Sequence, residues 1–300
     1  MIFCIVGPTA SGKSSFGMEL AKKTHGAILC GDAFQVYQDL EIGTAKPSKE
    51  ERVIVPHYLF DFVSPSMDYS VMQYQKDLRD VLEKLKQERT LPIIVGGTGL
   101  YLRAGLYDYT FQEEPKRIDM SPYEAMDNNT LFSHLQAIDE EEAKKLHPNN
   151  RKRVLRAIEI YLSQGKTKTE ILQEQKHELL DPETYFIGLK IERAELYQKI
   201  DARVIEMLSN GWIEEVKMLK EKYPLTAHAF QAIGYREIMD YLDGKINKEE
   251  MTSLIQKKTR NYAKRQMTFF SHQFPVIWFD HLEEATAFCL EKIQKKGQKE

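Results

Sequence analysis

The sequence is poor in cysteine and in long apolar runs, and these absences narrow the class of protein. Its three cysteines, Cys4, Cys30 and Cys289, form no Cys-x-x-Cys pair and no Cys/His cluster with zinc spacing. Cys4 and Cys30 lie in expected strands and are interpreted as inert core residues, so a reducing cytoplasm is the expected compartment. No apolar run approaches the length of a membrane span, and no membrane association is expected. Because the chain starts directly with a strand, no signal peptide is expected.

The sequence also lacks a strong excess of either charge. Its formal net charge of −3 argues against a generally basic nucleic-acid binder. Two segments differ from this average: residues 147–168 carry six Lys or Arg against one acid, and residues 256–265 carry five and no acid. Basic patches on a slightly acidic chain indicate a local binding surface for a polyanion. The alternative is that both are solvated helix faces.

The sequence does contain a glycine-rich loop of a defined type. Gly7-Pro8-Thr9-Ala10-Ser11-Gly12-Lys13-Ser14 matches the P-loop pattern G-x-x-x-x-G-K-[ST], between an apolar run and a helical pattern. Backbone N–H groups of such a loop surround an anion at a helix N-terminus. The pattern predicts a site for a di- or triphosphate, with Lys13 on the outer phosphate and the Ser14 hydroxyl on Mg²⁺. An ordinary Gly-rich turn between strand and helix is the alternative.

Alternating apolar strands and amphipathic helices predict an α/β fold, P-loop NTPase-like, with a mostly parallel sheet and helices on both faces. Strands are expected at residues 2–6, 27–30, 57–61, 92–95, 185–189 and 276–280, and helices at 15–23, 70–88, 195–208 and 249–272. Between about 110 and 181, charged helical segments punctuated by prolines replace this alternation. We therefore expect a P-loop core domain at 1–110 and 182–300, and a helical insertion domain at 111–181.

Two side chains follow strands whose carboxyl ends should border the P-loop. Ligands bind at this edge of a parallel sheet, which puts Asp32 beside the loop. The strand at 92–95 ends in Gly-Gly-Thr, where a nucleotide hydrolase usually has an acid for Mg²⁺; Asp32 and Asp61 remain as possible acids. Thr98 could orient a transferring group with its hydroxyl, or it could be a turn residue that bonds its own backbone.

From these residues alone, a nucleoside or metabolite kinase with a helical lid is favoured. In such an enzyme, Arg153 and Arg156 would clamp phosphates over ATP. The two side chains are three residues apart and would project from one helix face.

Six further segments make the sequence similar to the tRNA dimethylallyltransferase family (tRNA isopentenyltransferases), in its bacterial form. With the P-loop, they follow the family's order from residue 1 to about residue 280. The segments are Gln35-Val36-Tyr37, Ile42-Gly43-Thr44-Ala45-Lys46-Pro47, Gly96-Gly97-Thr98-Gly99-Leu100-Tyr101, Arg153-Val154-Leu155-Arg156-Ala157-Ile158-Glu159, Gln231-Ala232-Ile233-Gly234-Tyr235-Arg236 and Thr259-Arg260-Asn261-Tyr262-Ala263-Lys264-Arg265-Gln266.

The resemblance implies transfer of a dimethylallyl group from dimethylallyl diphosphate to N6 of the adenosine at tRNA position 37, next to the anticodon. It implies catalytic roles for Asp32 as general base, for Thr98 near the leaving oxygen or the amine, and for Lys13 on the diphosphate. Mg²⁺ would bind at Ser14. The implied diphosphate ligands are Gly7, Pro8, Thr9, Ala10, Ser11, Gly12, Lys13, Ser14 and Arg236.

The resemblance also implies a surface for the tRNA anticodon stem-loop, from which the target base must leave its stack. Gln35 is implied to bind tRNA, but it could instead be a polar residue at a helix start. Tyr262 and Phe269 could stack on bases, but core packing is the favoured interpretation for both. A monomer is expected. The implied tRNA-binding residues are Asp32, Ala33, Phe34, Gln35, Thr98, Lys152, Arg153, Val154, Leu155, Arg156, Arg260, Lys264, Arg265 and Gln266.

Two positions depart from the family's usual pattern. Ala33 follows Asp32 where the family usually has Ser, which removes a hydroxyl beside the expected base. Phe269 follows Thr268 where the family usually has Trp, which keeps an aromatic ring. The sequence has no C-terminal zinc finger of the kind associated with eukaryotic members.

Overall fold

The structure is a computed structural model that describes residues 1–111, 118–175, 177–224 and 226–298. The chain divides into two compact units. The first unit consists of Met1–Leu106 and Asp181–Glu300, and the second of Tyr107–Leu180.

A six-stranded parallel sheet forms the centre of the first unit, which confirms the predicted α/β class. The strand order is β3-β2-β4-β1-β5-β6, so β1, from which the P-loop leaves, lies inside the sheet. Phe3 pairs with Ile93 on one side and with Tyr185 on the other. The strands are β1 (Ile2–Val6), β2 (Ala27–Cys30), β3 (His57–Tyr58), β4 (Pro92–Val95), β5 (Thr184–Leu189) and β6 (Val276–Phe279).

The described helices include the four that the periodicity predicts, each with ends within two residues of the expected ones. In the first unit they are α1 (Lys13–Thr24), α2 (Lys49–Ile54), α3 (Val71–Gln87), α4 (Gly99–Leu106), α10 (Arg193–Ser209), α11 (Trp212–Lys222), α12 (Tyr235–Leu242), α13 (Lys248–Gln273) and α14 (Leu282–Gly297), with a 3₁₀ turn at His228–Gln231. In the second unit they are α5 (Ser121–Glu124), α6 (Asn128–Ile138), α7 (Glu140–Ala143), α8 (Arg151–Gln164) and α9 (Lys168–Gln173).

The strands are almost continuously apolar because helices cover the sheet. Phe3 and Ile5 of β1 pack in one buried cluster with Phe16 and Leu20 of α1 and with Cys289 of α14. Burial of this surface fixes α1, and therefore the loop before it, against the sheet.

The third strand is shorter than the sequence predicts. Strand geometry ends after Tyr58, because Leu59 and Asp61 adopt left-handed backbone conformations with φ of 65° and 58°. The Asp61 carboxylate instead accepts hydrogen bonds from buried Lys46 at 2.7 Å and from Arg52 at 3.1 Å. Asp61 therefore forms a structural ion-pair network.

The second unit has its own apolar core. Leu131 and Leu135 of α6 pack against Val154, Ala157 and Ile158 of α8. Across the described ranges of both units, no helix is long and apolar enough to cross a bilayer.

Gly96 lies where the ends of β2 and β4 are side by side, so a substitution at Gly96 tests how closely these two strand ends pack. A Cβ atom at Gly96 would lie 2.1 Å from the backbone of Gly31, which cannot move without disturbing both strands. We expect Gly96→Ala to lower the free energy of unfolding by about 1–3 kcal/mol in urea titrations. Gly297→Ala is the control, since its Cβ would meet nothing within 4 Å. Equal stability of the two variants would contradict the close approach.

Candidate active site

The P-loop has the backbone conformation of an anion-binding turn. Gly7 and Gly12 have φ of 138° and 85°, values that favour glycine, and Ala10 also has a positive φ of 62°. Gly12 is the N-cap of α1 and provides no side-chain cap. The first N–H groups of α1 are therefore available for a ligand, and the helix dipole favours a negative one.

This loop borders a cavity of about 300 Å³ within the first unit. Thr9 to Ser14 of the P-loop and the following Ser15 line one side of the cavity, and Asp32, Gln35 and Arg203 line it as well. Cationic groups, backbone amides and the carboxylates of Asp32 and Glu51 thus line a space that can hold a small anion.

Asp32 follows β2 directly, as predicted, and its carboxylate lies at the cavity. Its Oδ1 atom accepts the N–H of Phe34 at 2.9 Å. Burial raises the pKa of Asp32, and this effect outweighs the opposing effects of the Phe34 N–H, Lys13 and Arg203. A carboxylate with a raised pKa is a stronger base than one in water, which suits proton acceptance.

Lys13 is half-buried at the start of α1. Its Nζ donates to the carbonyl of Pro8. Burial and, to a smaller extent, the positive charge of Arg203 lower the pKa of Lys13 to about 7, although Asp32 opposes both effects. An anion in the cavity would favour the charged form of Lys13.

Arg203 of α10 is the main cavity residue that the sequence analysis missed. Burial lowers its pKa, while Glu206 and Asp32 favour its charged form. A signal was present: Arg203 is three residues after Ile200 and seven after Leu196, both buried, so it occupies the buried face of its helix. A cation at such a position indicates a polar site beneath the helix.

Arg236, which was expected to bind diphosphate, is not among the residues that line the cavity, and this expectation is corrected. It is exposed on α12. Its neighbours Tyr235 and Glu237 are buried, and the Tyr235 hydroxyl donates to Glu215 at 2.8 Å. Arg203 occupies the place in the lining that was expected for Arg236.

Glu215 connects two of the family segments, residues 42–47 and residues 231–236. Its carboxylate accepts the N–H groups of Glu41, Ile42 and Gly43 at 2.9, 2.6 and 3.2 Å, in addition to the Tyr235 hydroxyl. This buried carboxylate anchors the loop whose residues 44–47 form another wall of the cavity.

Gln35 ties the segment after Asp32 to the loop at residues 44–45, and Thr98 holds the backbone on both sides of Asp32. The Gln35 amide donates to the carbonyls of Thr44 and Ala45 at 2.9 and 3.1 Å. Thr98 donates its N–H to the Gly31 carbonyl and accepts the Ala33 N–H at its Oγ1, each at 3.0 Å. The Thr98 side chain also forms a hydrogen bond with Tyr262.

Phe34, one of the residues expected to bind tRNA, is also fixed by packing. The ring of Phe34 stacks on His228 with centroids 5.9 Å apart and an interplanar angle of 11°. Phe34 and Gln35 therefore present a rigid edge beside Asp32.

The expected RNA-binding residues of α13 form two groups, of which one is exposed and the other is bonded within the protein. Lys264 and Arg265 are exposed, whereas Arg260 pairs with Asp201. Gln266 is only 5% exposed and bonds to Thr9 and Gly97, so direct contact with RNA is corrected to an internal role.

The two aromatic residues of α13 also differ. Tyr262 lines the cavity, where burial and Asp32 raise its pKa, and the Arg265 guanidinium lies 5.7 Å from its ring centroid. Phe269 packs against Phe270 and Phe274, as favoured for a core residue.

In the second unit, α8 presents a basic face. Lys152, Arg153 and Arg156 are exposed, and Arg156 pairs with Glu159 at 2.7 Å. Val154 is fully buried, and Leu155 packs partly against the same core, so the expected RNA contacts of these two are corrected to core packing. The helical period alone separates the two faces.

The oxygen atoms at the cavity fit Mg²⁺. The described part of the chain has no group of three or more His, Cys, Asp or Glu that could hold a metal ion. Ser14 and Asp32 both line the cavity, however, and Mg²⁺ commonly takes one or two protein oxygens together with substrate phosphates and water. The residues present therefore fit a magnesium ion that binds with a diphosphate.

The parallel sheet, the P-loop and the acid at the next strand define a P-loop α/β protein with a site for an anionic substrate. The IPP transferase family model matches residues 35–273. The chain belongs to this family.

Relatives and solved structures agree over almost the whole chain. The tRNA dimethylallyltransferase of Anoxybacillus flavithermus is 42% identical over 284 residues, which cover 94% of this chain and 91% of the relative. That of Geobacillus thermodenitrificans is 43% identical over 298 residues, 97% and 94% of the two chains. The crystal structure of a tRNA isopentenylpyrophosphate transferase from Bacillus halodurans has a TM-score of 0.73 at 35% identity, with 99% of this chain and 98% of that chain covered. A tRNA delta(2)-isopentenylpyrophosphate transferase from Staphylococcus epidermidis has a TM-score of 0.71 at 36% identity, with coverage of 99% and 100%.

The charge arrangement predicts how the pKa of Lys13 responds to its neighbours. In ¹³Cε NMR titrations, we expect a Lys13 midpoint of about 7 in the ligand-free protein. Arg203→Met should raise this midpoint because it removes a positive neighbour, and Asp32→Asn should lower it because it removes the negative one. Lys295→Arg would serve to assign an exposed reference lysine. A lower midpoint in Arg203→Met, or a higher midpoint in Asp32→Asn, would contradict the geometry.

Proposed function

We propose that this protein transfers a dimethylallyl group from dimethylallyl diphosphate to N6 of the adenosine at tRNA position 37, with release of diphosphate. The observation that carries this proposal is that Lys13 of the P-loop, Arg203 of α10 and the Asp32 carboxylate line one cavity. A leaving group and an acceptor amine can therefore be held side by side, and membership of the IPP transferase family supports the pairing.

The P-loop side of the cavity would stabilise the leaving group. As the C1–O bond of the donor breaks, its electron pair moves onto the diphosphate, where negative charge grows. Lys13, Arg203 and the N–H groups at the start of α1 face that charge in a half-buried site, where fixed donors are most effective. Mg²⁺ held with the Ser14 hydroxyl would supply further charge neutralisation.

The Asp32 side would complete the transfer. The N6 amine of adenine is a poor nucleophile, and it becomes acidic only as its bond to the allylic carbon forms. Asp32 then accepts the N6 proton, and its raised pKa makes it a better acceptor at that moment. Thr98 fixes the backbone on both sides of Asp32.

RNA binding would use the exposed basic residues of both units. Sequence-specific proteins usually read RNA loops whose bases can be turned out, and N6 can reach this cavity only if its base leaves the stack. Lys264 and Arg265 of α13, with Lys152 and Arg153 of α8, would contact the phosphates of the anticodon stem-loop. We propose that the helical unit grips tRNA, and that the protein acts as a monomer in the cytoplasm.

A two-label assay tests the proposal against the kinase alternative. Purified protein is incubated with tRNA and either dimethylallyl diphosphate labelled in the allyl group or ATP labelled in the γ-phosphate. The proposal predicts allyl label in N6-isopentenyladenosine after nucleoside digestion, and no transfer of the phosphate label. Phosphate transfer without allyl transfer would establish a kinase instead.

The role of Asp32 predicts a turnover defect without a binding defect. Asp32→Ala should lower kcat by about 10²-fold or more, because the N6 proton loses its acceptor. Binding of tRNA, followed by fluorescence anisotropy, should change little. Asp80→Asn, an exposed acid on α3 that pairs with Lys76, is the control and should retain full turnover. Normal turnover in Asp32→Ala would remove this residue from the mechanism.

The role of Arg153 predicts a change in salt dependence. Arg153→Ala should weaken tRNA binding, and the slope of log K against log salt should become shallower by about one phosphate contact. Lys295→Ala, which removes an exposed lysine paired with Glu291 on α14, should leave the slope unchanged. An unaltered slope in Arg153→Ala would exclude a phosphate contact at this position.

A further inference from the structure

The amide of Gln266 joins three parts of the active site. Gln266 belongs to α13 and is 5% exposed. Its Oε1 accepts the N–H of Thr9 in the P-loop at 2.9 Å, and its Nε2 donates to the carbonyl of Gly97 at 3.0 Å. The side chain therefore bridges the loops that follow β1 and β4.

The first bond orients the peptide group that controls Lys13. The Thr9 nitrogen and the Pro8 carbonyl belong to one planar peptide unit, so the direction of one fixes the direction of the other. That Pro8 carbonyl accepts from Lys13 Nζ and from Ser11 Oγ, the latter at 2.9 Å. Gln266 thus sets the position of the acceptor that holds the P-loop lysine.

The second bond orients the peptide group beside Asp32 in the same way. The Gly97 carbonyl and the Thr98 nitrogen share one planar unit. The Thr98 N–H donates to the Gly31 carbonyl at 3.0 Å, one residue before Asp32. Rotation of this peptide would break the contact that keeps the two strand ends together.

We infer that Gln266 is a positioning residue that aligns the Pro8–Thr9 and Gly97–Thr98 peptides, so that helix α13 sets the geometry of the diphosphate cradle relative to Asp32. Both polar groups of its amide are used inside the protein, which leaves contact with RNA to its exposed neighbours Lys264 and Arg265. The inference rests on the proposed function for the identity of the anion as a diphosphate.

Gln266→Met is the primary test, because methionine has a similar length and volume but makes neither bond. Binding of inorganic diphosphate with Mg²⁺ is measured by calorimetry, and binding of an anticodon stem-loop RNA by anisotropy. We expect diphosphate affinity to fall about tenfold, as for the loss of one to two hydrogen bonds. RNA affinity should change by less than about twofold, since Gln266 does not contact RNA.

Gly97→Ala displaces the same amide from the opposite side. The new Cβ would lie 2.0 Å from Gln266 Nε2, the end of a flexible side chain that can move away. We expect the same fall in diphosphate affinity as in Gln266→Met. Gln256→Met is the matched control: Gln256 lies on the same helix, donates to the Asp201 carbonyl at 3.3 Å and does not line the cavity. It should bind diphosphate as the unaltered protein does.

Two results would overturn the inference. One is unchanged diphosphate affinity in the folded variants, with folding checked by thermal denaturation; if Gln266→Met does not fold, Gly97→Ala decides. The other is a loss of RNA affinity with diphosphate affinity intact, which would make Gln266 an RNA contact. Failure of the proposed function would appear separately, as absence of allyl transfer by the unaltered protein, because these binding measurements require no turnover.

Discussion

The rest of this structure depends on the attraction and repulsion between the charged side chains Lys13, Arg203 and Asp32 around one small cavity. Lys13 and Arg203 repel each other, Asp32 and Glu206 partly offset that repulsion, and an incoming anion would offset it further. Burial weakens solvent screening, so each charge strongly affects its neighbours. A site of this kind is prepared for an anionic ligand before the ligand arrives, and it keeps a basic carboxylate within the same space.

The fold supplies this arrangement through its parallel sheet. The strands β1, β2 and β4 are neighbours in space, and their carboxyl ends place the P-loop, Asp32 and the Gly96–Thr98 turn at one edge. Helices that are distant in sequence complete the site: α10 brings Arg203, α11 anchors a wall through Glu215, and α13 brings Gln266.

The sequence predicted well those features that depend on local pattern. The P-loop, five of the strand positions and the place of Asp32 follow from short-range spacing, because strand, turn and helix signals lie within a few residues of each other. Arg203 and Gln266 were missed or misassigned because their roles depend on partners in distant segments. Val154 lies within a recognised basic segment, yet the period of α8 turns it into the core, which a motif cannot show without its helix face. The third strand failed for a different reason, since left-handed backbone at Leu59 and Asp61 is not evident from apolar composition.

A crystal structure of this protein with dimethylallyl thiodiphosphate, an unreactive form of the donor, would test the central claim most directly. The account predicts that the diphosphate lies within hydrogen-bond distance of Lys13 and Arg203, with the first allylic carbon facing Asp32. A diphosphate bound outside the P-loop, or an allyl chain directed away from Asp32, would contradict it.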